Sequence, residues 1–413
     1  MVWYYGQSDL NEWAEKLEGI KKEAKADGIS LGQFTTDPKA VPPARENVIG
    51  AFSDAILAVS SAGGQFEPLQ NDGIDALRAS LEPYREAIDA WTQASTFEVI
   101  AKSPRSDGSI VAISETDARF AATLLLADAK VARADGDFDT WSSRLVAVYD
   151  LSRHVRAIPI SRMQSSSASM RDHLGQEISA ALVENGSTPT VAKWPVANMS
   201  AEITTGELEY FVKIEAWRGK WIVASHENGS WIERFASSRK SDVKYPFHPH
   251  AAEANEAVWL TFHMLSLAAV RENQDNWSAL IDSLREPNEF LADVGKSAGA
   301  IARGFATDFR ISASVWAEQE TYRRLLIVAA YAFQYRLAYG QYPALLRDLG
   351  TASIDPYSDE PFGYSSLGVG FHVYSIGADR IDSGGVRKDG LSKSSNSDDL
   401  GFRMSGWPAE SSS

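Results

Sequence analysis

Apolar residues recur three and four positions apart through most of the first 340 residues, the spacing that lays one stripe along a helix. Leu10, Trp13, Leu17 and Ile20 share a face, with Ser8 as the expected N-cap and Gly28 as the stop. Phe52, Ile56 and Val59 mark a helix over 47–60. Ile74, Leu77, Leu81, Tyr84, Ile88 and Trp91 mark another over 73–95. Helices over 117–133 and 137–155 flank Ala134-Asp135-Gly136-Asp137. That turn predicts an antiparallel hairpin with Asp137 capping the second helix. Further helices are predicted over 163–184, 251–271 and 276–284. The run Phe211–Trp217 fits a strand or a helix, and its helical neighbours favour helix.

After residue 320 the pattern changes. Tyr322, Leu325, Leu326, Ala329, Phe333 and Leu337 form a last helical stripe, with Gly340 at the C-cap and Pro343 as a stop. Asp355-Pro356 and Glu360-Pro361 are turn signals, and 370–376 alternates as a half-buried strand does. Gly377, Gly384, Gly385 and Gly390 make the next segment a loop, with Asp379, Asp382, Asp398 and Asp399 in or beside it.

These last pieces carry a family resemblance. Tyr335 followed by Gly340, Tyr342 and Pro343 is the first. Asp355-Pro356 with Pro361-Phe362 and Tyr364 is the second. Tyr374-Ser375, Gly377-Ala378-Asp379 and Gly384-Gly385 follow, and Asp398-Asp399-Leu400 comes last. In this order they resemble the globular domain of the major pseudopilins of type II secretion, over about 322–404. The resemblance implies a long helix packed on a short antiparallel sheet, and a C-terminal loop that binds calcium. Carried over by position, the ligands are the carboxylates of Asp379, Asp398 and Asp399, with Asp382 beside them, and the carbonyls of Ile376 and Ala378. The helix here follows some three hundred other residues, so the chain reads as a body with a pseudopilin-like module. The remainder faintly resembles membrane-anchored envelope proteins of planctomycete-type bacteria.

Composition narrows the partners. The net charge of −15 argues against nucleic acid and anionic membrane, and suits cations. With no cysteine there is no disulfide, thiol nucleophile or cysteine-held metal. The opening Met1-Val2-Trp3-Tyr4-Tyr5 resembles the aromatic belt beside a membrane helix, so an N-terminal anchor outside this chain is expected. His248-Pro249-His250 with Glu253 and His263 is a second metal candidate, although a solvated loop before a helix explains it as well.

The expectation is therefore a mainly α-helical body, in regions 1–187 and 188–310, and an α+β module over 311–413. The expected function is non-catalytic: an extracytoplasmic, membrane-tethered structural or interaction protein with an envelope protein partner and a calcium-stabilised loop. The alternative is an envelope hydrolase with a metal site near His248, His250 and His263.

Overall fold

The computed structural model describes residues 2–29, 73–94, 115–156, 161–199, 203–227, 251–274, 276–294, 303, 306–349, 354–358, 360–366, 369–394 and 397–405. Expectations at 47–60 and at His248 and His250 lie outside them. Within them the chain is mainly helical, and the paired strands all follow residue 360. No described helix is long and apolar enough to cross a membrane.

Helices α1 (Val2–Ala26), α2 (Ile74–Leu81) and α3 (Arg85–Ala94) come first. Helix α1 begins at Val2, so Ser8 lies inside it and does not cap it. The helix expected over 73–95 is broken by a 3₁₀ turn, Glu82–Tyr84, because Pro83 has no amide hydrogen to continue the ladder. Helices α4 (Glu115–Ala134) and α5 (Phe138–Arg156) form the expected hairpin. Asp137 caps α5 by accepting from Thr140 N at 3.0 Å, and Gly136 takes φ 75° in the turn. Buried Asp128 of α4 accepts from Arg85 of α3 and, at 2.9 Å, from Arg144 Nε of α5. One carboxylate thus ties three helices.

Helix α6 (Ser161–Asn185) packs on α4 and α5, and α7 (Pro189–Asn198) follows with Pro189 in its first turn. Helix α8 (Thr205–Glu227) settles the run Phe211–Trp217 as helix. Helix α9 (Ala251–Glu272) lies between α1 and α8. Short helices α10 (Trp277–Ser283) and α11 (Arg285–Asp293) lead to α12 (Phe309–Tyr339). Asp308 caps α12, accepting from Arg310 N and Ile311 N, and Gly340 ends it at φ 76°.

The sheet is antiparallel throughout, in the order β1 (Gly363–Ser366), β2 (Phe371–Ser375), β4 (Leu400–Met404), β3 (Gly390–Lys393). Val373 pairs with Phe402, and Phe371 with Met404, which puts Phe371, Val373, Phe402 and Met404 on one buried face. Phe333 of α12 meets that face, 5.7 Å from the Phe371 ring and 6.3 Å from Phe402. Strand β3 falls where glycines predicted only loop. Its outer edge is satisfied by α6: Ser179 Oγ accepts from Leu391 N at 2.6 Å, and Gln176 Nε2 donates to Leu391 O at 3.4 Å.

Helix α12 belongs to both parts. It packs on α6, α7 and α10 as well as on β2, β3 and β4, and one connected buried cluster runs from Leu17 to Met404. Gly186 permits part of this, since a Cβ there would overlap the Phe333 ring.

Candidate functional site

The loop from Ile376 to Asp399 leaves β2, crosses the outer face of the sheet and returns as β3 and β4. Its start is set by Asp355, whose role the sequence did not reveal beyond a turn. Oδ1 accepts from Ser375 Oγ at 2.7 Å and Tyr357 N at 3.0 Å, and Oδ2 accepts from Ile376 N at 3.0 Å. Burial raises its pKa, and those hydrogen bonds oppose the rise. Between Ile376 and Ala378 the chain turns at Gly377, φ 69°, where a Cβ would overlap the Asp398 carbonyl. The outgoing and returning backbones therefore touch. The φ of 76° at Gly385 and the rings of His372 and Tyr374 against it leave no room for a side chain there either. His372 Nε2 accepts from Val386 N at 3.1 Å, and burial brings its pKa down to about 4.

The four expected aspartates divide. Asp399 is fully buried. Its Oδ2 accepts from Gly385 N at 2.6 Å and Ser383 N at 3.2 Å, while its Oδ1 is enclosed without a hydrogen-bond partner. Burial raises its pKa first, the two amides oppose that, and the charges of Asp382 and Asp379 raise it further. Asp379 is exposed and accepts from Ile381 N at 3.0 Å. Asp382 accepts from Gly384 N at 2.8 Å and from the Tyr374 hydroxyl at 3.3 Å. So the charges of Asp379 and Asp382 both act on Asp399. Asp398 belongs elsewhere: it pairs with Lys393 at 3.2 Å, and its charge acts on Glu318 of α12 and on Tyr357. Arg380, at φ 58°, pins the loop to α10, donating to Asp282 Oδ2 and Ser278 O at 2.8 Å each.

Among the described residues, no three His, Asp or Glu side chains form a ready-made metal cage. The orphaned Asp399 oxygen is the feature that fits a cation, because a buried carboxylate oxygen without a donor is costly. Hard cations such as calcium accept mixed carboxylate and carbonyl oxygens, which this loop has in Asp399, Asp379, Asp382 and the carbonyls of Ile376 and Ala378.

The histidine candidate is only partly described. His263 is buried on α9, its Nδ1 donating to Trp259 O at 2.8 Å, with its ring against Trp259, Phe262 and Phe309. Burial lowers its pKa to about 4, so it is neutral.

Two surfaces complete the picture. A groove of about 720 Å³ runs between α4 and α6, with Leu126 and Met170 in its walls and Lys130 at its rim. Around the C-terminal end of α12, Leu337, Tyr339, Leu345 and Val369 stand exposed, Tyr339 at 69% and Val369 at 61%. Arg336 Nη1 donates to Val369 O at 3.1 Å and holds that turn beside the helix. Ile381, at 62%, is exposed in the acidic loop. In comparisons with known proteins, no family model, curated protein or solved structure matches this chain.

Proposed function

We propose that this chain is a non-catalytic structural or interaction protein of an extracytoplasmic compartment, with calcium closing its C-terminal loop. The observation that carries the proposal is the buried Asp399 carboxylate, with one oxygen unpartnered and Asp379 and Asp382 close enough to repel it. A divalent cation would relieve that repulsion and give the oxygen a partner. Asp399, Asp379 and Asp382, with the carbonyls of Ile376 and Ala378, would hold the ion. Asp398 is left out of this set because Lys393 takes its charge. The likeness of 322–404 to the major pseudopilins is part of the same proposal, and so is anchoring to a membrane. Calcium sites with few charged ligands are tuned to about 10⁻⁴–10⁻³ M, as in extracellular modules. The interaction reading draws on the apolar side chains exposed around the end of α12, a surface suited to another protein.

The test is thermal unfolding against calcium and magnesium. Calcium at millimolar concentration should raise the melting temperature by mass action, magnesium less, and Asp399→Asn should abolish the calcium shift. No shift in the wild type, with no calcium heat by calorimetry, would reject the proposal.

A further inference from the structure

Helices α4 and α6 pack on each other and leave a groove of about 720 Å³ along their contact. That volume lies within the range of about 300–1,000 Å³ usual for small-ligand sites. The sequence explains the hollow. Ala122 and Ala127 of α4 and Ala180 of α6 stand where larger side chains would fill it, and Leu77, Leu126 and Met170 give it apolar walls. Ala122, Leu126 and Lys130 recur at four-residue spacing, so they follow one another along one face of α4. A ligand laid over Ala122 and Leu126 therefore arrives at Lys130.

The charges of the groove run against those of the chain. The chain carries −15, yet Arg119, Lys130 and Arg133 line the groove against only Glu177 and Glu184. Both glutamates are engaged by Arg133, whose Nε donates to Glu177 Oε1 at 2.7 Å and whose Nη1 pairs with Glu184. This ion pair joins α4 to α6 at that end. Lys130, one turn before Arg133, is exposed and makes neither an ion pair nor a hydrogen bond among the described residues. The groove is thus an apolar furrow that ends at an uncommitted cation.

Its shape selects a thin ligand. A helix with its side chains is about 10–12 Å across, wider than a furrow between two helices already in contact. None of the exposed large apolar side chains among the described residues stands on its rim to seat a protein partner. Lys130 and Arg119 are eleven residues apart on α4, roughly 16 Å at about 1.5 Å per residue, which accommodates an extended dodecyl chain. We propose that the groove binds one unesterified fatty acid, its carboxylate on Lys130 Nζ and its alkyl chain laid between α4 and α6 toward Arg119. The carboxylate gains a charge-assisted hydrogen bond, and the chain leaves water against alanine, leucine and methionine. The site stands independently of the calcium loop.

The test is calorimetry on the whole chain with dodecanoate, kept below the concentration at which it forms micelles. One molecule should bind per chain. Each methylene removed from the ligand should weaken binding roughly fourfold, and butyrate should not bind. Dodecyltrimethylammonium, with the same chain and the opposite charge, should bind at least tenfold more weakly than dodecanoate. Lys130→Glu should weaken dodecanoate at least tenfold, and Thr123→Trp, which puts a bulky ring into the groove from a partly exposed position, should block it. A nitroxide on the alkyl chain should broaden the methyl signal of Met170 among the six methionines, assigned by Met170→Leu. No dodecanoate binding, or many molecules per chain, would overturn the proposal. So would equal affinity for the cationic ligand or for lysophosphatidylcholine, since the carboxylate would then play no part. Unchanged affinity in Lys130→Glu would overturn it as well. If Thr123→Trp does not fold, the Met170 signal decides the location, and a signal left sharp at saturation rejects this groove.

Discussion

At the residue scale, burial sets the chemistry of individual side chains. His263 and His372 both have a pKa near 4, lowered from 6.5 chiefly by burial, so each is neutral in the folded protein. The unfolded chain takes up these protons first as pH falls. Stability is therefore full above about pH 6.5 and lost on the way to about pH 4, at roughly 1.4 kcal/mol per pH unit for each histidine. Protonating His372 would also remove the acceptor of Val386 N. Urea unfolding at pH 7.5 and pH 5 should show the decline. In His263→Leu it should be smaller by about 2 kcal/mol, since one titrating group is gone. An unchanged decline would mean that His263 is solvated. Asp399 gives a prediction of opposite sign to an ordinary buried-residue change. In calcium-free buffer Asp399→Asn should be no less stable than the wild type. The amide oxygen can still accept from Gly385 N, and the charge repelled by Asp379 and Asp382 is gone. A clear destabilisation would show that the carboxylate is satisfied without a cation.

At the element scale, what was legible followed from local rules. The α4–α5 hairpin, Asp137 as its cap and Gly340 at the end of α12 each depend on a few adjacent residues. Strand β2 was legible because apolar Phe371 and Val373 alternate with His372 and Tyr374 in the sequence, although the loop laid over the second face buries His372 as well. What was missed depends on distant partners. Strand β3 is four residues long, and a helix covers its outer edge through Ser179 and Gln176, which no pattern around Gly390 announces. Asp355 looked like a turn residue, yet its partners Ser375 and Ile376 lie some twenty residues on. Ser8 looked like a cap because polar residues precede the apolar stripe, but α1 starts earlier, at Val2. The Ser179 contact is testable. Ser179→Ala leaves Leu391 N buried without its acceptor and should cost about 1–3 kcal/mol. Hydrogen exchange should accelerate at Leu391 while α4 stays protected. Unchanged protection there would mean that β3 holds its edge without α6.

At the scale of the whole molecule, α12 decides how the parts depend on one another. Glu320 sits at its middle, fully buried, and accepts from Ile203 N at 3.1 Å, from Arg323 Nε and Nη2 at 2.8 and 2.7 Å, and from Arg324 Nε at 2.7 Å. Arg323 Nη1 continues to Met199 O at 2.7 Å, and Arg324 Nη1 to Ile354 O at 2.8 Å. The network thus joins the segment between α7 and α8 to the turn that leads into the sheet. Burial alone would raise the Glu320 pKa, but Arg323 and Arg324 together outweigh it and hold the pKa below its usual value. Its stabilising contribution is therefore present above the unfolded carboxylate pKa and is lost as pH falls through the lower folded one. Glu320→Gln leaves Arg323 buried without its counter-charge and should cost on the order of 3–5 kcal/mol, far more than a surface ion pair. Removing Arg323 as well, as in Glu320→Met with Arg323→Met, should restore most of that, because the buried Arg323 charge is then gone and the remaining Arg324 is partly exposed and keeps Ile354 O as an acceptor. The pattern of loss is as informative as its size. With one core and a shared α12, Glu320→Gln should lower protection around Met199 and Ile203 and in β2 and β4 together, and unfolding by helical and aromatic signals should stay coincident. Two separated transitions, with the sheet melting apart from the helices, would instead make 311–413 an autonomous module attached to the body.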